Sequence, residues 1–415
     1  MNHDKIKLGI LTFHKSINYG AFLQCYSLST KMKKDFPRVE VEIIDYCPQY
    51  ELDKYAPTLK NFIFGSKQIP QPPKMVAKNI AKLCIMPGLL KKKKQQYQAF
   101  QTAQSALCLS QKHWYTDDYK LFFDSIKNDY DIIIVGSDAV WECLVFSFPN
   151  AYFLTEELNA CRMSYAACSG RMHKGLLTEK QTRYMQNVWA GFDYIGVRDD
   201  ATEAMVKSII PEKVTHHNCD PTFFLDISQN TIFHKAKVKE KLIKVGIGLE
   251  RPVIGIMGGD QMGKMVREFF GNKYQIVAVY YQNRYADVYL ADLDPFEWAV
   301  VFSFFSLTFT RYFHGTIFSL KNGTPTISID DWKNDEFGQS SKLRDMLYRT
   351  GLSDHYFRIE DTCSNEGREK IKNAALKFMD DPDKEKIFNG LENEARYYHD
   401  FREHIQKNID RILAR

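Results

Sequence analysis

The segment LTFTRYFHGTIFSLKNGTPTISID, residues 307–330, decides how the chain is read. Residues 307–313 are short, apolar and rich in β-branched and aromatic side chains, as a strand buried within a sheet requires. His314 and Gly315 follow, and residues 316–321 carry Ile317, Phe318 and Leu320 as a short helix closed by Asn322 and Gly323. Residues 324–330 form a second buried strand and complete a βαβ unit. This topology puts Arg311 and His314 at or just past the strand's carboxyl end, beside a helix N-terminus, where open α/β sheets bind ligands. A guanidinium, an imidazole and helix-end amides together suit an anion. A satisfied histidine and a surface arginine would explain the same pair equally well.

Upstream, the pattern repeats. Residues 253–257 read as a strand, GGDQMG as its loop, 262–270 as a helix and 274–280 as the next strand. Gly258 and Gly259 resemble a phosphate-cradling turn, without the lysine and hydroxyl spacing of a P-loop. Asp294 caps a helix over 295–305, with Pro295 at its first position. At the other end of the chain, 8–13 is a strand, HKSINYG a polar loop, 21–36 a helix with apolar Leu23, Tyr26, Leu28 and Met32, and 39–46 a strand. This opening is Rossmann-like but lacks GxGxxG, which excludes a nicotinamide or flavin cofactor. Asn18, Tyr19 and Gly20 occupy the ligand-facing loop; a tight turn with Gly20 at positive φ accounts for them as well.

The strand DIIIV, 131–135, is followed by GSDAVW, where Ser137 and Asp138 offer a hydroxyl and a carboxylate and Trp141 a flat face for a sugar. Ser137 or Asp138 could equally cap the next helix. Strands over 163–170 and 194–197, a helix over 179–192 and a helix from Asp199 through Ser208 follow, with Arg198 at a strand end. Residues 46–73 read as an irregular, proline-rich loop, and 74–106 as helix broken at Pro87 and Gly88, with lysines at 91–94. Such a basic element can lie on anionic lipid, and a solvated helix face explains the same lysines.

A chain of 415 residues needs more than one core. The boundaries place an N-terminal Rossmann-like domain at 1–225 with the basic helical insertion at about 74–106, a linker at 226–244, a second Rossmann-like domain at 245–383, and a C-terminal helix at 384–415. With 56 basic and 51 acidic residues, the net charge of +5 excludes a nucleic-acid-scale field. Nine cysteines without a CxxC pair read as reduced cytosolic thiols, and no metal cluster is legible. The longest apolar stretch, 299–309, is too short to span a bilayer, so a cytoplasmic protein, soluble or peripheral, is expected.

In their order, KLGILTFHKSINYGAFLQCYSL (7–28), YDIIIVGSDAVW (130–141), MSYAACSG (163–170) with IGVRD (195–199), NCDPTFFLD (218–226) and the stretch from Asp292 to Asp330 resemble the polysaccharide pyruvyl transferases. The resemblance implies an α/β fold of two Rossmann-like domains facing a central cleft, GT-B-like, with parallel sheets and flanking helices. It implies transfer of the enolpyruvyl unit of phosphoenolpyruvate onto two hydroxyls of a galactose-like residue in a lipid-linked capsular or exopolysaccharide precursor, with release of phosphate. No cofactor is implied beyond phosphoenolpyruvate as donor substrate. Peripheral contact with the inner face of the cytoplasmic membrane fits such an acceptor, and nucleic acid has no part. His314 carries over as the catalytic histidine, followed by Gly315, and Arg198 as the arginine of a VRD-type motif. Many relatives have arginine two residues before the histidine, where this chain has Tyr312, with Arg311 one residue further back. Arg198, Arg311, Tyr312, Gly315, Thr316, Gly258 and Gly259 are thus the expected donor contacts. Asn18, Tyr19, Gly20, Ser137 and Trp141 are the expected acceptor contacts, and Asp138 the acceptor base or a sugar ligand. A nucleotide-sugar glycosyltransferase of the same architecture, or a glycan-binding protein without catalysis, are the alternatives.

Overall fold

The computed structural model describes residues 5–66, 70–86, 88–143, 148–155, 157–229, 231–331 and 341–414; Pro87, one of the two expected helix breakers, lies outside them. Two parallel sheets account for the strands. The first holds β1 (Lys7–Leu11), β2 (Glu40–Cys47), β3 (Leu109–Tyr115), β4 (Ile132–Val135), β5 (Cys161–Ala167), β6 (Tyr194–Val197) and β7 (Thr215–His217) in the order β3-β2-β1-β4-β5-β6-β7. The second holds β8 (Val253–Met257), β9 (Gln275–Val279), β10 (Val288–Leu290), β11 (Leu307–Thr310), β12 (Thr326–Asp330) and β13 (Tyr356–Arg358) in the order β10-β9-β8-β11-β12-β13. Central strands such as β4 and β8 are buried along their whole length because helices cover both faces, so they read as apolar runs rather than alternations. The edge strand β3, LSQKHWY, is mostly solvated and carries no such run, which hides it in the sequence.

In each sheet the strand order reverses between the first strand and its neighbour on the other side, at β1/β4 and at β8/β11. Such switch points open a crevice at the strands' carboxyl ends. The two crevices face each other. The Tyr19 hydroxyl donates to the Leu293 carbonyl (2.7 Å) and the Tyr280 hydroxyl to the Ile17 carbonyl (2.6 Å), each bond crossing between the domains.

The helix Tyr19–Asp35 is the shared wall. Asn18 caps it, its side chain accepting from the amides of Gly20 and Ala21. Its apolar spacing suggests one buried face, yet twelve of its residues are buried. Tyr19, Phe22, Leu23 and Tyr26 pack with Phe296 and Trp298 of the second domain, while Leu28 and Met32 pack with Leu391 and Phe401 from the C-terminus. A helix covered on all sides can carry apolar groups all round.

Three regions depart from the sequence reading. The stretch 46–73, expected to be irregular, contains the helices Gln49–Tyr55 and Leu59–Phe64. The expected linker contains the helix Lys235–Lys244, which buries Val238 and Leu242 against the second domain. The C-terminal helix is two, Lys384–Ala395 and His399–Leu413, and they return to cover the first domain. There Phe401 is fully buried, its ring 4.6 Å from that of Tyr165 and 5.2 Å from that of Tyr194. Among the described residues no helix is long and apolar enough to cross a membrane.

Truncating this anchor removes a ring from a closed core. Phe401→Ala is expected to destabilise the first domain by about 3–5 kcal/mol, read as an earlier urea transition in the fluorescence of buried Trp141 and Trp189.

Candidate active site

Strand β11 ends at Thr310, three residues short of the expected boundary. The Thr310 hydroxyl accepts from the Tyr312 amide (3.1 Å), turning the chain, and the helix Phe313–Lys321 starts at once. His314 and Gly315 therefore lie in the first helical turn. A Cβ on Gly315 would come within 2.5 Å of the Thr310 hydroxyl and 2.8 Å of Met257 Sδ, so a bare backbone is what lets this turn sit on β8 and β11. Arg311 and Tyr312 belong to the turn rather than to the strand, so the alternation of strand faces does not separate them, and both line the cleft.

From that turn the His314 imidazole reaches across to the first domain. A Cβ on Gly20 would stand 1.9 Å from His314 Nδ1. Gly20 is helical, without the positive φ of a tight turn; its requirement is room for the ring. His314 Nε2 lies 3.4 Å from Asp220 Oδ2.

Asp220 is 1% exposed and richly held. Its Oδ2 accepts from Arg198 (2.8 Å) and from the Gln24 amide, and its Oδ1 from the Thr222 hydroxyl (2.7 Å) and amide (3.0 Å). Burial opposes ionisation of this carboxyl, but His314, Arg198 and Thr222 outweigh it and hold its pKa far below the usual carboxylate range. Arg198, itself 1% exposed, also donates to Asp138 (3.3 Å). Asp138 occupies a left-handed backbone conformation at φ 81°, which aspartate tolerates better than most residues. Burial again opposes ionisation there, and Lys342, 3.9 Å away, leads Arg198 and His314 in keeping the carboxyl below its ordinary value. Phe313 is flanked by the two cations, Arg198 at 5.1 Å and Lys342 at 5.5 Å from its ring centre.

These groups border a cavity of about 230 Å³ between the switch points. Asn18, Tyr19, Gly20 and Asp138 line it from the first domain, and Arg311, Tyr312, His314 and Lys342 from the second. Arg311 binds Asp331 through its terminal nitrogen while its Nε has no hydrogen-bond partner; Tyr312 stacks on Tyr281 at 4.8 Å.

Several expected contacts lie elsewhere. Trp141 offers no face to a sugar: it is fully buried beside Trp189 and donates to the Tyr152 carbonyl, because its ring completes the first domain's core. Thr316 points into the second sheet, where its hydroxyl meets that of Ser328 (2.8 Å). Gly315 serves packing rather than the donor. Arg198 is sealed behind His314 by its two carboxylates and does not line the cavity, so it positions groups instead of gripping a donor. Ser137 is buried, its hydroxyl unpartnered. Gly258 packs against Met262, and Gly259 opens onto a neighbouring cavity. Conversely, sequence reasoning passed over Asp220 and Lys342. Asp220 stands just past β7, as Arg198 stands just past β6, so a carboxylate at a parallel strand's end was a usable signal. Lys342 begins a helix remote in sequence from any strand end, and nothing local marks it.

Comparison with known proteins bears on this arrangement. A family model described as polysaccharide pyruvyl transferase matches residues 18–332. No curated protein matches the chain. Among solved structures, UDP-GlcNAc 2-epimerase from Methanocaldococcus jannaschii is 10% identical, with 95% of this chain and 99% of that one covered at a TM-score of 0.50. A putative UDP-N-acetylglucosamine 2-epimerase from Listeria monocytogenes is 11% identical (93% and 91% covered, TM-score 0.49). A glycosyltransferase from Rickettsia africae is also 11% identical (98% and 100% covered, TM-score 0.46). At such identities the likeness is one of fold, two parallel-sheet α/β domains of GT-B-like type.

Two outcomes follow from the site's geometry. Gly20→Ala is expected to displace His314 and to lower turnover by roughly 100-fold with an unchanged far-UV circular dichroism spectrum. Asp138 and Asp220 have folded pKa values below the unfolded 3.8, so their stabilisation is complete above that value and is lost as pH falls below it. Between pH 5 and pH 2 the melting temperature of Asp220→Asn is therefore expected to fall less steeply than that of the wild type, from a lower starting point.

Proposed function

Because the chain belongs to the polysaccharide pyruvyl transferase family, whose model spans most of it, we propose that it moves the enolpyruvyl unit of phosphoenolpyruvate onto two hydroxyls of a galactose-like residue and releases phosphate. The observation that carries this reading is His314, held between Gly20 and the ionised Asp220 at the edge of the interdomain cavity.

Phosphoenolpyruvate needs a proton on its methylene carbon before its central carbon will accept a nucleophile. A histidine ring whose Nε2 lies 3.4 Å from the buried Asp220 carboxylate, at the edge of the cavity, is placed to deliver that proton. The developing positive charge at the central carbon is met by the first sugar hydroxyl, whose proton passes to Asp138, kept ionised by Lys342 and Arg198. The second hydroxyl then takes the place of the phosphate, which leaves with its bonding electron pair. Asp138 hands the first hydroxyl's proton to the departing phosphate, and the second hydroxyl's proton restores the one given by His314, so the step balances. Lys342 and the unpartnered Nε of Arg311 are the cations available to the donor's phosphate and carboxylate. No step calls on a redox or metal cofactor.

The acceptor is a lipid-linked polysaccharide precursor, met at the cytoplasmic face of the membrane. Support comes from exposed apolar side chains beside a basic one: Ile80 and Ile85 are exposed on the helix Pro73–Ile85, which also carries Lys74, and Leu59 and Phe64 are exposed on the short helix before it.

Release of inorganic phosphate from phosphoenolpyruvate is the direct test. It is expected to require a galactoside acceptor and to fall by about 10²–10⁴-fold in His314→Ala. Turnover of a nucleotide sugar, with none of phosphoenolpyruvate, would transfer the assignment to a glycosyltransferase.

A further inference from the structure

A second, larger cavity of about 530 Å³ adjoins the first, and Tyr280, Tyr281, Arg311 and Tyr312 line both. One wall is the first domain's insertion. Its helices Pro73–Ile85 and Leu89–Ala103 present Lys78, Lys82 and Lys93. The insertion is tied down: the Gln96 side chain donates to the Tyr280 carbonyl (3.3 Å), and buried Phe100 packs edge-on against Phe22 and parallel to Tyr19. The facing wall is the second domain's β8 turn. Gly259 precedes the helix Asp260–Phe270, and a Cβ placed there would meet open space. Asp260 also lines the cavity, but its carboxylate is taken by the Arg284 guanidinium (2.7 Å) and amide (3.0 Å).

The three lysines have no carboxylate within ion-pair reach among the described residues. Enclosure in the cleft lowers the pKa of Lys93, and the like charge of Lys82 adds to this, so an anion between them would relieve a standing repulsion. Three unneutralised cations and a helix amino end exceed what a monoanion needs. The donor's charges already have Lys342 and Arg311 beside His314, which leaves the lysine wall for an anion belonging to the acceptor. A ligand with its sugar in the smaller cavity extends past the stacked Tyr281 and Tyr312 rings directly into the larger one.

We propose that the Lys78, Lys82 and Lys93 cavity holds the diphosphate of a glycosyl diphosphate acceptor, a deepening that rests on the proposed pyruvyl transfer to a glycan. The diphosphate chemistry is common to a nucleoside diphosphate sugar and a polyprenyl diphosphate sugar. The carrier portion lies toward the exposed insertion and the sugar toward His314.

Isothermal titration of the full chain tests this with UDP-galactose, farnesyl-diphosphate-galactose, methyl galactoside and phosphoenolpyruvate as separate probes. For the Lys82→Ala/Lys93→Ala protein, affinity for at least one diphosphate probe is expected to drop by roughly 100-fold, while Lys94→Ala, outside the cavity, retains it. The probe that shows the dependence identifies the carrier. Phosphoenolpyruvate and methyl galactoside are expected to bind the double variant as they bind wild type. Unchanged affinity for both diphosphate probes would overturn the proposal. So would an equal loss of phosphoenolpyruvate binding, which would give the lysines to the donor. Absence of phosphate release by wild type with every acceptor sinks the proposed reaction instead, and the titrations still decide the diphosphate site. An unchanged melting temperature of the double variant certifies that it is folded.

Discussion

Arg198 keeps a full positive charge in a place almost closed to water. Such a group persists only where anions surround it, and removing one partner of a buried pair costs far more than the pair itself contributes. The anions come from two different strand ends, Asp138 past β4 and Asp220 past β7, so one guanidinium holds the carboxyl edge of the first sheet in register. Each carboxylate then has a second task. Asp220 faces His314 and Asp138 faces Lys342, both from the other domain. The arginine is thus the fixed point from which charge is passed, through two aspartates, to a histidine and a lysine of the facing domain.

That chain of charges closes only because the two domains come into atomic contact. The helix Tyr19–Asp35 belongs to the first sheet by connectivity and to the second by packing, and its glycine at position 20 gives the His314 ring its berth. Side-chain absence at one point and side-chain presence at another are complementary parts of one contact.

Much of the fold was legible because the buried parallel strands announce themselves. IIIV and VIGIM are uninterrupted apolar runs, and Asp294 caps its helix where its residue type says it should. What could not be read is what depends on tertiary neighbours. The edge strand β3 has no apolar signature, and the end of β11 at Thr310 is set by a side-chain hydrogen bond that no periodicity records. At the site, His314 and Asp138 were nameable from their places past strand ends. Trp141 misled because an aromatic beside a polar loop looks the same whether it meets a sugar or a core, and only burial tells them apart. Arg198 misled in the opposite sense: the residue matters, but its charge is already spent on Asp138 and Asp220.

The return of the last two helices to the first domain has a consequence for how the chain is made. Tyr165 and Tyr194 are synthesised before the surface that covers them, which has Phe401 at its centre. Until it is made, this face of the first domain's core has no cover, whereas the cluster around Trp141 and Trp189 is built from first-domain residues alone. Tyr398 donates to Asp35 (2.7 Å) and ties this later segment to the end of the helix Tyr19–Asp35. Closure of that part of the core therefore waits on a segment made after the second sheet.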